Sequence, residues 1–184
     1  IPRGVDLEQF NPGAVSPARI INLAKEWRLP DDGPVIALPG RITSWKGQHL
    51  LIDALSRLQA ENRLPGNWRC LLIGPKAPGS SYPDALESRV MSRGLAGHIQ
   101  IIDDCLDMAA AYMVTDAVVS ASTRPEAFGR VVAEAQAMGR PVVAPAHGAA
   151  PEIIVPGVTG WLFTPSDSVS LGKAIERAVS LTAD

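Results

Sequence analysis

The sequence predicts a doubly wound α/β domain, with a Rossmann-like parallel sheet of about six strands. From residue 34 onward, short apolar runs alternate with longer segments of helical periodicity, the pattern of strands joined by helices. The apolar runs are nearly continuous in Val, Ile and Leu, as expected for strands covered on both faces. The length of 184 residues and the hydrophobic content of 46% suit a domain with its own core.

The elements follow in chain order. A first helix is predicted at 16–27, within 33 residues that otherwise break the strand–helix alternation. The helix predicted at 46–62 carries Leu and Ala on one stripe, which indicates the face that packs on the sheet. The predicted strands are 35–40, 68–74, 98–103, 117–122, 140–146 and 160–163, and the other helices are 84–93, 106–114, from about 129, 151–155 and from 166 to the end.

Composition excludes several classes of protein. The net charge is −2 with no basic run, so the chain lacks the electrostatic footprint of a nucleic-acid-binding protein. No apolar stretch reaches the ~20 residues that a membrane-spanning helix needs. Cys70 and Cys105 lack CxxC spacing and a neighbouring His cluster, which argues against zinc. We expect two buried, reduced thiols in a cytoplasmic protein.

Two cations follow the first predicted strand, in the stretch GRITSWKG. Gly40 permits a tight turn, and Arg41 and Lys46 lie five residues apart in the loop. In a doubly wound sheet, ligands bind beyond the carboxyl ends of the strands, near the switch point of the strand order. Arg41 and Lys46 could there neutralise a diphosphate, Arg by a bidentate fork and Lys as a point charge. The alternative is that both are solvated loop cations.

A carboxylate follows the fourth predicted strand, in the stretch STRPEAFG. Pro125 favours an extended residue before it, and Gly129 suits the start of a helix, so Glu126 belongs to the loop. The helix that follows offers unpaired backbone N–H groups and the positive end of its dipole to an anion. A carboxylate stabilised near a helix N-terminus is the alternative interpretation of Glu126.

Within that helix, the periodicity predicts that Val131, Ala135 and Met138 face the core, with Val132 at the edge of the stripe. Glu134 lies on the other flank. A partly buried carboxylate must find hydrogen-bond donors or change its protonation, so Glu134 is either a ligand contact or half of a structural ion pair.

The four charged residues are more informative together than singly. Glu126 and Glu134 are separated by roughly 12 Å at most if the intervening chain is helical. That span suits a sugar at one end, a diphosphate between and a ribose at the other. The coincidence with Arg41 and Lys46 favours a nucleotide-sugar site, provided that both cations and the start of the helix near Gly129 share one pocket.

At this point the sequence resembles the retaining glycosyltransferases of family 4, which have the GT-B fold. GRITSWKG, EAFGRVVAEAQAMGRPVVA with its E-x7-E spacing, PRGVDLEQF and HGAAPEIIVPGVTGWLF each resemble a motif of that family. Together the motifs cover essentially the whole chain. The resemblance implies the C-terminal, donor-binding half of a GT-B enzyme, with 1–33 as interdomain linker strand and helix and 34–184 as the nucleotide-sugar-binding domain.

The resemblance also implies roles for individual residues. Arg41 and Lys46 would contact the donor diphosphate, Glu126 the hydroxyls of the transferred sugar, and Glu134 the ribose. We group Arg41 and Lys46 as catalytic, since the leaving diphosphate needs its charge stabilised, together with Glu126, which would contact the transferred sugar. Beside Glu134, the donor-binding set comprises Gly40, the backbone amides of Phe128, Gly129 and Arg130, and Gly74, Asp103 and Asp104.

The chain departs from the family pattern at several of these positions. Asp103, followed by Asp104, stands where a glycine is usual after the third strand, in a loop that normally lines the base. Ala121 stands where proline is common. His147 stands where a second glycine is usual, and either contacts ligand or has no role.

The substrate implied is a UDP-, GDP- or ADP-sugar, without a cofactor or metal, since the sequence has no Asp-x-Asp motif. The implied partner is the N-terminal GT-B domain of the same parent chain, which would bind the acceptor and supply any peripheral contact with the inner face of a membrane. We expect transfer in cell-envelope polysaccharide or lipopolysaccharide biosynthesis, and little transfer by these residues alone.

Two other functions fit the same fold. A sugar-nucleotide epimerase would bind the same ligand and interconvert it without an acceptor. A non-catalytic nucleotide-binding module would bind without turnover, although the presence of all four charged residues argues against degeneration.

Overall fold

A computed structural model describes residues 4–181 as a six-stranded parallel sheet covered by helices on both faces. The strands are β1 (Val35–Pro39), β2 (Arg69–Ile73), β3 (Ile99–Ile102), β4 (Ala117–Val119), β5 (Val142–Pro145) and β6 (Gly160–Phe163). The helices are α1 (Pro17–Glu26), α2 (Gln48–Ala60), α3 (Tyr82–Ser92), α4 (Met108–Met113), α5 (Arg130–Ala137), α6 (Ala150–Ile153) and α7 (Ser168–Ser180).

The strand order is β3-β2-β1-β4-β5-β6, and every neighbouring pair is parallel. The direction of the order reverses where β1 pairs with β4, with Ile36 opposite Ala117. All carboxyl ends therefore meet at one edge of the sheet, and a crevice opens between the loops after β1 and β4. The doubly wound fold predicted from the sequence is confirmed.

Burial on both faces explains the continuous apolar runs. Every residue of β1, β4 and β5 is buried. Alternate residues of a strand point to opposite faces, so Ile36 and Leu38 pack with α2 and α7, whereas Ala37 packs with Trp27 and Ala111 on the other side. This packing makes the sheet a rigid base for the loops at its carboxyl edge.

Helices α2 and α4 each begin two residues later than predicted, because local geometry decides their first residue. Before α2, the stretch Ser44–Lys46 is a 3₁₀ turn, and Gly47 has a left-handed conformation with φ 75°. Before α4, the Asp107 side chain accepts a hydrogen bond from the Ala110 backbone N–H and caps the helix. Leu106, predicted as helical, is instead 95% exposed in the preceding loop.

The buried stripe of α5 differs from the predicted one at a single position. Val132, Ala135 and Met138 are buried, while Val131 is only half-buried. The prediction that Val131 faces the core and Val132 its edge is therefore wrong. Gly129, in a left-handed conformation with φ 67°, leads the chain into the helix. Periodicity alone does not specify which of two adjacent valines faces the core.

The first described residues pack on the domain. The Arg19 guanidinium donates two hydrogen bonds to the Asp107 carboxylate, at 2.8 and 2.7 Å, and Phe10 contacts the edge of Tyr112. Residues 4–33 contain helix α1 and no strand, so the linker strand expected there is absent from the described part. Residues 1–3, with the start of the PRGVD motif, and 182–184, after α7, lie outside the described residues. The division into linker and domain stays a prediction.

Both cysteines are free thiols. Cys70 is buried as predicted, whereas Cys105 is half-buried in the loop before α4, and burial raises the pKa of both thiols. Among residues 4–181, no helix combines the length and the apolar character needed to cross a bilayer.

Candidate functional site

A cleft with a volume of about 760 Å³ opens at the switch point of the sheet. Its walls are the loop after β1, the loop after β4 and the first turn of α5. Seven of the eleven predicted site residues line it: Gly40, Arg41, Lys46, Glu126, Phe128, Gly129 and Arg130. The two cations and the start of the helix therefore share one pocket, which is the condition that the nucleotide-sugar interpretation required.

The loop after β1 is anchored from below. Ile42 is fully buried in the core beneath α2. Gln48 is fully buried as well, and its Nε2 donates a hydrogen bond of 2.9 Å to the Arg41 carbonyl oxygen. Because a buried amide must find partners, Gln48 fixes the main chain of Arg41. The Arg41 side chain stays exposed to the cleft.

Lys46 faces the opposite wall of the cleft. Its Nζ lies 2.8 Å from Glu126 Oε1 and 4.6 Å from the centroid of the Trp45 ring. An aromatic face attracts a cation, so Trp45 supports the ammonium from one side while Glu126 neutralises it from the other.

The loop after β4 holds Glu126 through its main chain and its carboxylate. A Cβ atom at Gly148 would lie 2.6 Å from the Glu126 carbonyl oxygen and 2.7 Å from its nitrogen, so only glycine fits against this backbone. The Ala149 N–H donates a hydrogen bond of 3.0 Å to the Glu126 carbonyl. The Ser122 hydroxyl donates to Glu126 Oε1, the same oxygen that accepts from Lys46.

The cleft is positive although the chain is negative. Its lining contains Arg41, Lys46 and Arg130 against the single carboxylate of Glu126, a formal surplus of two positive charges. The N-terminus of α5 adds backbone N–H groups and a positive dipole end. This arrangement suits an anion with two negative charges. In residues 4–181, no three His, Cys, Asp or Glu side chains are grouped to hold a metal ion.

Glu134 lies on the same helix as Arg130, one turn further along, and is not part of the cleft lining. The Tyr112 hydroxyl donates a hydrogen bond of 2.9 Å to Glu134 Oε2. Burial raises the pKa of Glu134, and this effect outweighs the Tyr112 hydrogen bond and the Arg130 charge, which both lower it. The expected ribose contact stays a prediction.

Gly74, Asp103 and Asp104 do not line the cleft either. A Cβ atom at Gly74 would lie 2.3 Å from the Gly40 carbonyl oxygen, so Gly74 allows the loop after β2 to touch the loop after β1. Asp103 Oδ1 accepts a hydrogen bond of 2.9 Å from the Lys76 backbone N–H. Asp104 is exposed. Gly74 and Asp103 thus shape the edge of the sheet beside the cleft.

The sequence interpretation missed Trp45, Ser122 and Tyr112 as contributors to the site. Trp45 lies within GRITSWKG, and Ser122 is the last residue of the predicted fourth strand, so its polar side chain at the carboxyl end of a strand was a usable signal. Tyr112 gave no such signal, because only the packing of α4 beside α5 brings it to Glu134. His147 contacts the protein: its Nε2 lies 3.0 Å from the Ser122 carbonyl oxygen.

Comparison with known proteins agrees with this geometry. The family model described as Glycosyl transferases group 1 matches residues 20–183. A D-inositol 3-phosphate glycosyltransferase of Stackebrandtia nassauensis is 32% identical over 183 residues, which is 97% of this chain and 40% of that protein. The chain thus spans less than half the length of this curated relative.

The solved structures that resemble this chain also include glycosyltransferases. A glycosyltransferase from Rickettsia africae matches with a TM-score of 0.92 and 31% identity, over 98% of this chain and 46% of that one. Anabaena Alr3699/HepE, solved with UDP, matches with a TM-score of 0.83 and 29% identity, over 100% and 52%. The C-terminal domain of a group 1 glycosyl transferase (LpcC) from Francisella tularensis matches with a TM-score of 0.78 and 29% identity, over 96% and 88%. The chain belongs to the family of glycosyl transferases group 1.

Proposed function

We propose that the cleft binds a nucleoside diphosphate sugar, the donor of a glycosyl transfer. The observation that carries the proposal is the convergence of Arg41 and Lys46 after β1 with Glu126 after β4, at the switch point between the two strands. These residues belong to loops about 80 positions apart in the chain. Independent solvated cations would have no reason to meet a carboxylate and a helix N-terminus in one cleft.

Each group has a distinct role in this proposal. The Arg41 guanidinium and the Lys46 ammonium contact the diphosphate, and the amides of Phe128, Gly129 and Arg130 at the mouth of α5 contact the sugar or the distal phosphate. Glu126 accepts hydrogen bonds from sugar hydroxyls, and Glu134 from the ribose. This donor-binding domain contributes to catalysis by stabilising the negative charge on the leaving diphosphate.

The whole enzyme is proposed to be a retaining GT-B glycosyltransferase of family 4, with the acceptor on an N-terminal domain. Two findings support this: the chain matches a C-terminal domain solved by itself, and it spans 40% of its curated relative. The binding of UDP by the Anabaena protein makes a uridine nucleotide the first donor to test. Transfer into cell-envelope polysaccharide or lipopolysaccharide, and a cytoplasmic location, stay predictions.

The test is a titration of this 184-residue protein with UDP, GDP, ADP and their glucose conjugates, by calorimetry and by melting temperature. A ligand that binds the native state raises its melting temperature. We expect one nucleotide series to bind, and the Arg41→Ala/Lys46→Ala double variant to lose that binding. A Lys25→Ala/Arg177→Ala variant removes the same charge outside the cleft lining and should bind normally. Undiminished binding by the first variant would overturn the proposal.

Incubating the bound nucleotide sugar without an acceptor separates transferase from epimerase. We expect the sugar configuration to remain unchanged, as judged by chromatography of the released monosaccharide. Interconversion to a second nucleotide sugar would favour the epimerase.

A further inference from the structure

The two carboxylate oxygens of Glu126 have different surroundings. Oε1 accepts hydrogen bonds from both the Ser122 hydroxyl and the Lys46 ammonium. Within residues 4–181, Oε2 accepts none. An ionised carboxylate only accepts, and each oxygen offers about two lone-pair sites. The protein therefore occupies Oε1 and leaves Oε2 available to a ligand, since the Glu126 side chain lines the cleft and is 25% exposed.

Ser122 is itself fixed by a neighbouring loop. It is buried, so the single proton of its hydroxyl must find an acceptor, and that acceptor is Glu126 Oε1. His147 holds its main chain, with Nε2 lying 3.0 Å from the Ser122 carbonyl oxygen. Because a carbonyl oxygen only accepts, the ring nitrogen Nε2 carries the proton.

The same loop controls the backbone of Glu126. Gly148 approaches it so closely that no side chain fits, and Ala149 donates to its carbonyl oxygen. Consecutive residues of the β5–α6 loop, His147–Ala149, thus hold both ends of the segment from Ser122 to Glu126.

We propose that His147 and Ser122 are positioning residues that orient the Glu126 carboxylate, so that it accepts hydrogen bonds from the hydroxyls of the donor sugar through Oε2 alone. This deepens the proposed function and rests on it, since the ligand concerned is the sugar of the donor. His147 acts through Ser122 and does not touch the sugar. The nucleotide portion contacts Arg41 and Lys46 rather than Glu126 Oε2, so its binding should depend less on His147 and Ser122 than the binding of the sugar does.

Because the nucleotide and the sugar contact different groups, comparing their affinities provides a readout that a structural defect would not mimic. UDP and UDP-glucose are titrated into the wild-type protein, His147→Phe and Ser122→Ala. We expect UDP-glucose to bind about three- to tenfold more weakly to each variant, the range for loss of one hydrogen bond, while UDP binds as before. His147→Gln keeps a donor at similar reach and should recover the affinity for UDP-glucose.

His98→Phe is the matched control. His98 Nδ1 lies 3.0 Å from the Trp68 carbonyl oxygen, so its ring also contacts a backbone carbonyl, but just before β3, at the opposite edge of the sheet. This variant should bind both ligands like the wild type. If His147→Phe weakens the binding of UDP and of UDP-glucose equally, the substitution causes a general defect and the positioning role is overturned. The role is also overturned if neither affinity changes.

A second measurement needs no ligand. Nitrogen-15 spectra of the free protein should show His147 with its proton on Nε2. A proton on Nδ1 alone would overturn the positioning role of His147, because Nε2 could not then donate to the Ser122 carbonyl oxygen. If the wild type binds neither UDP nor UDP-glucose, the choice of a uridine donor fails. The tautomer of His147 then still tests the hydrogen bond from its Nε2 to the Ser122 carbonyl oxygen. If the wild type binds both and the variants keep the wild-type ratio, only the positioning role fails.

Discussion

Lys46 Nζ lies 2.8 Å from Glu126 Oε1, and this ion pair joins the two loops that flank the switch point of the sheet. The two side chains are 14% and 25% exposed, so water screens them only in part. A partly buried charge needs its partner, and each residue therefore holds the other in the cleft before any ligand arrives. A diphosphate would share the ammonium with Glu126.

Replacing Glu126 by Gln removes one negative charge from the cleft while keeping an oxygen that can accept from Ser122. We expect UDP to bind at least as tightly, because Lys46 loses its neutralising partner, and UDP-glucose to lose about tenfold or more, the size of a charge-assisted hydrogen bond. Calorimetric titration measures both affinities. Glu87→Gln, on the exposed surface of α3, is the control, and a loss of UDP binding in Glu126→Gln would contradict the prediction. In the whole enzyme, transfer should be abolished.

Arg41 should contribute to affinity through charge. Arg41→Ala is expected to weaken UDP binding by about tenfold or more and to make that binding less sensitive to salt, because one fewer cation contacts the phosphates. Titrations in 50 and 300 mM salt would measure the change. Lys25→Ala removes the same charge from exposed helix α1 and should have little effect. An equal effect of the two substitutions would assign Arg41 to the solvated surface.

Gly47 tests the close approach of the two loops. A Cβ atom at this position would lie 1.9 Å from the Ala121 carbonyl oxygen. Gly94 also has a left-handed conformation, with φ 68°, but has open space around it. We expect Gly94→Ala to cost about 1 kcal/mol of unfolding free energy, from backbone strain alone, and Gly47→Ala to cost about 2 kcal/mol or more beyond that. Urea denaturation gives both values, and similar costs would refute the contact.

Glu134 should make stability depend on pH. Its pKa in the folded protein is raised, chiefly by burial, so the fold favours the protonated carboxyl. The resulting stabilisation is fully present below the unfolded pKa of about 4.3 and is lost as the pH rises through the raised value. The unfolding free energy of the wild type, relative to Glu134→Gln, should therefore decline from pH 4 towards neutrality.

Tyr112→Phe sharpens this test. Removing the hydroxyl that donates to Glu134 takes away a hydrogen bond that lowers the pKa of the carboxyl, so the decline should move to higher pH. Urea denaturation across the pH range follows both variants. A pH-independent difference between the wild type and Glu134→Gln would show that Glu134 titrates normally.

Much of the fold was predictable because burial on two faces leaves a continuous apolar run in the sequence. The runs around Ile36, Leu72 and Val143 lie in β1, β2 and β5, as expected. The cleft residues were predictable for a related reason: in a parallel sheet, loops after the strands share one edge, so Arg41, Lys46 and Glu126 could be expected there. The choice between Val131 and Val132 as the buried residue of α5 was less accessible, because adjacent residues lie only about 100° apart around a helix.

The sequence by itself determined the α/β class, the six strands and the chemical character of the loops, since these follow from local composition and periodicity. Only the tertiary structure decided that β1 lies beside β4, that Lys46 and Ser122 meet at one oxygen of Glu126, and that Tyr112 reaches Glu134. These contacts join segments whose relation is set by packing of the whole core. A linear pattern records which residues are apolar or charged, but not which distant segment packing brings beside them.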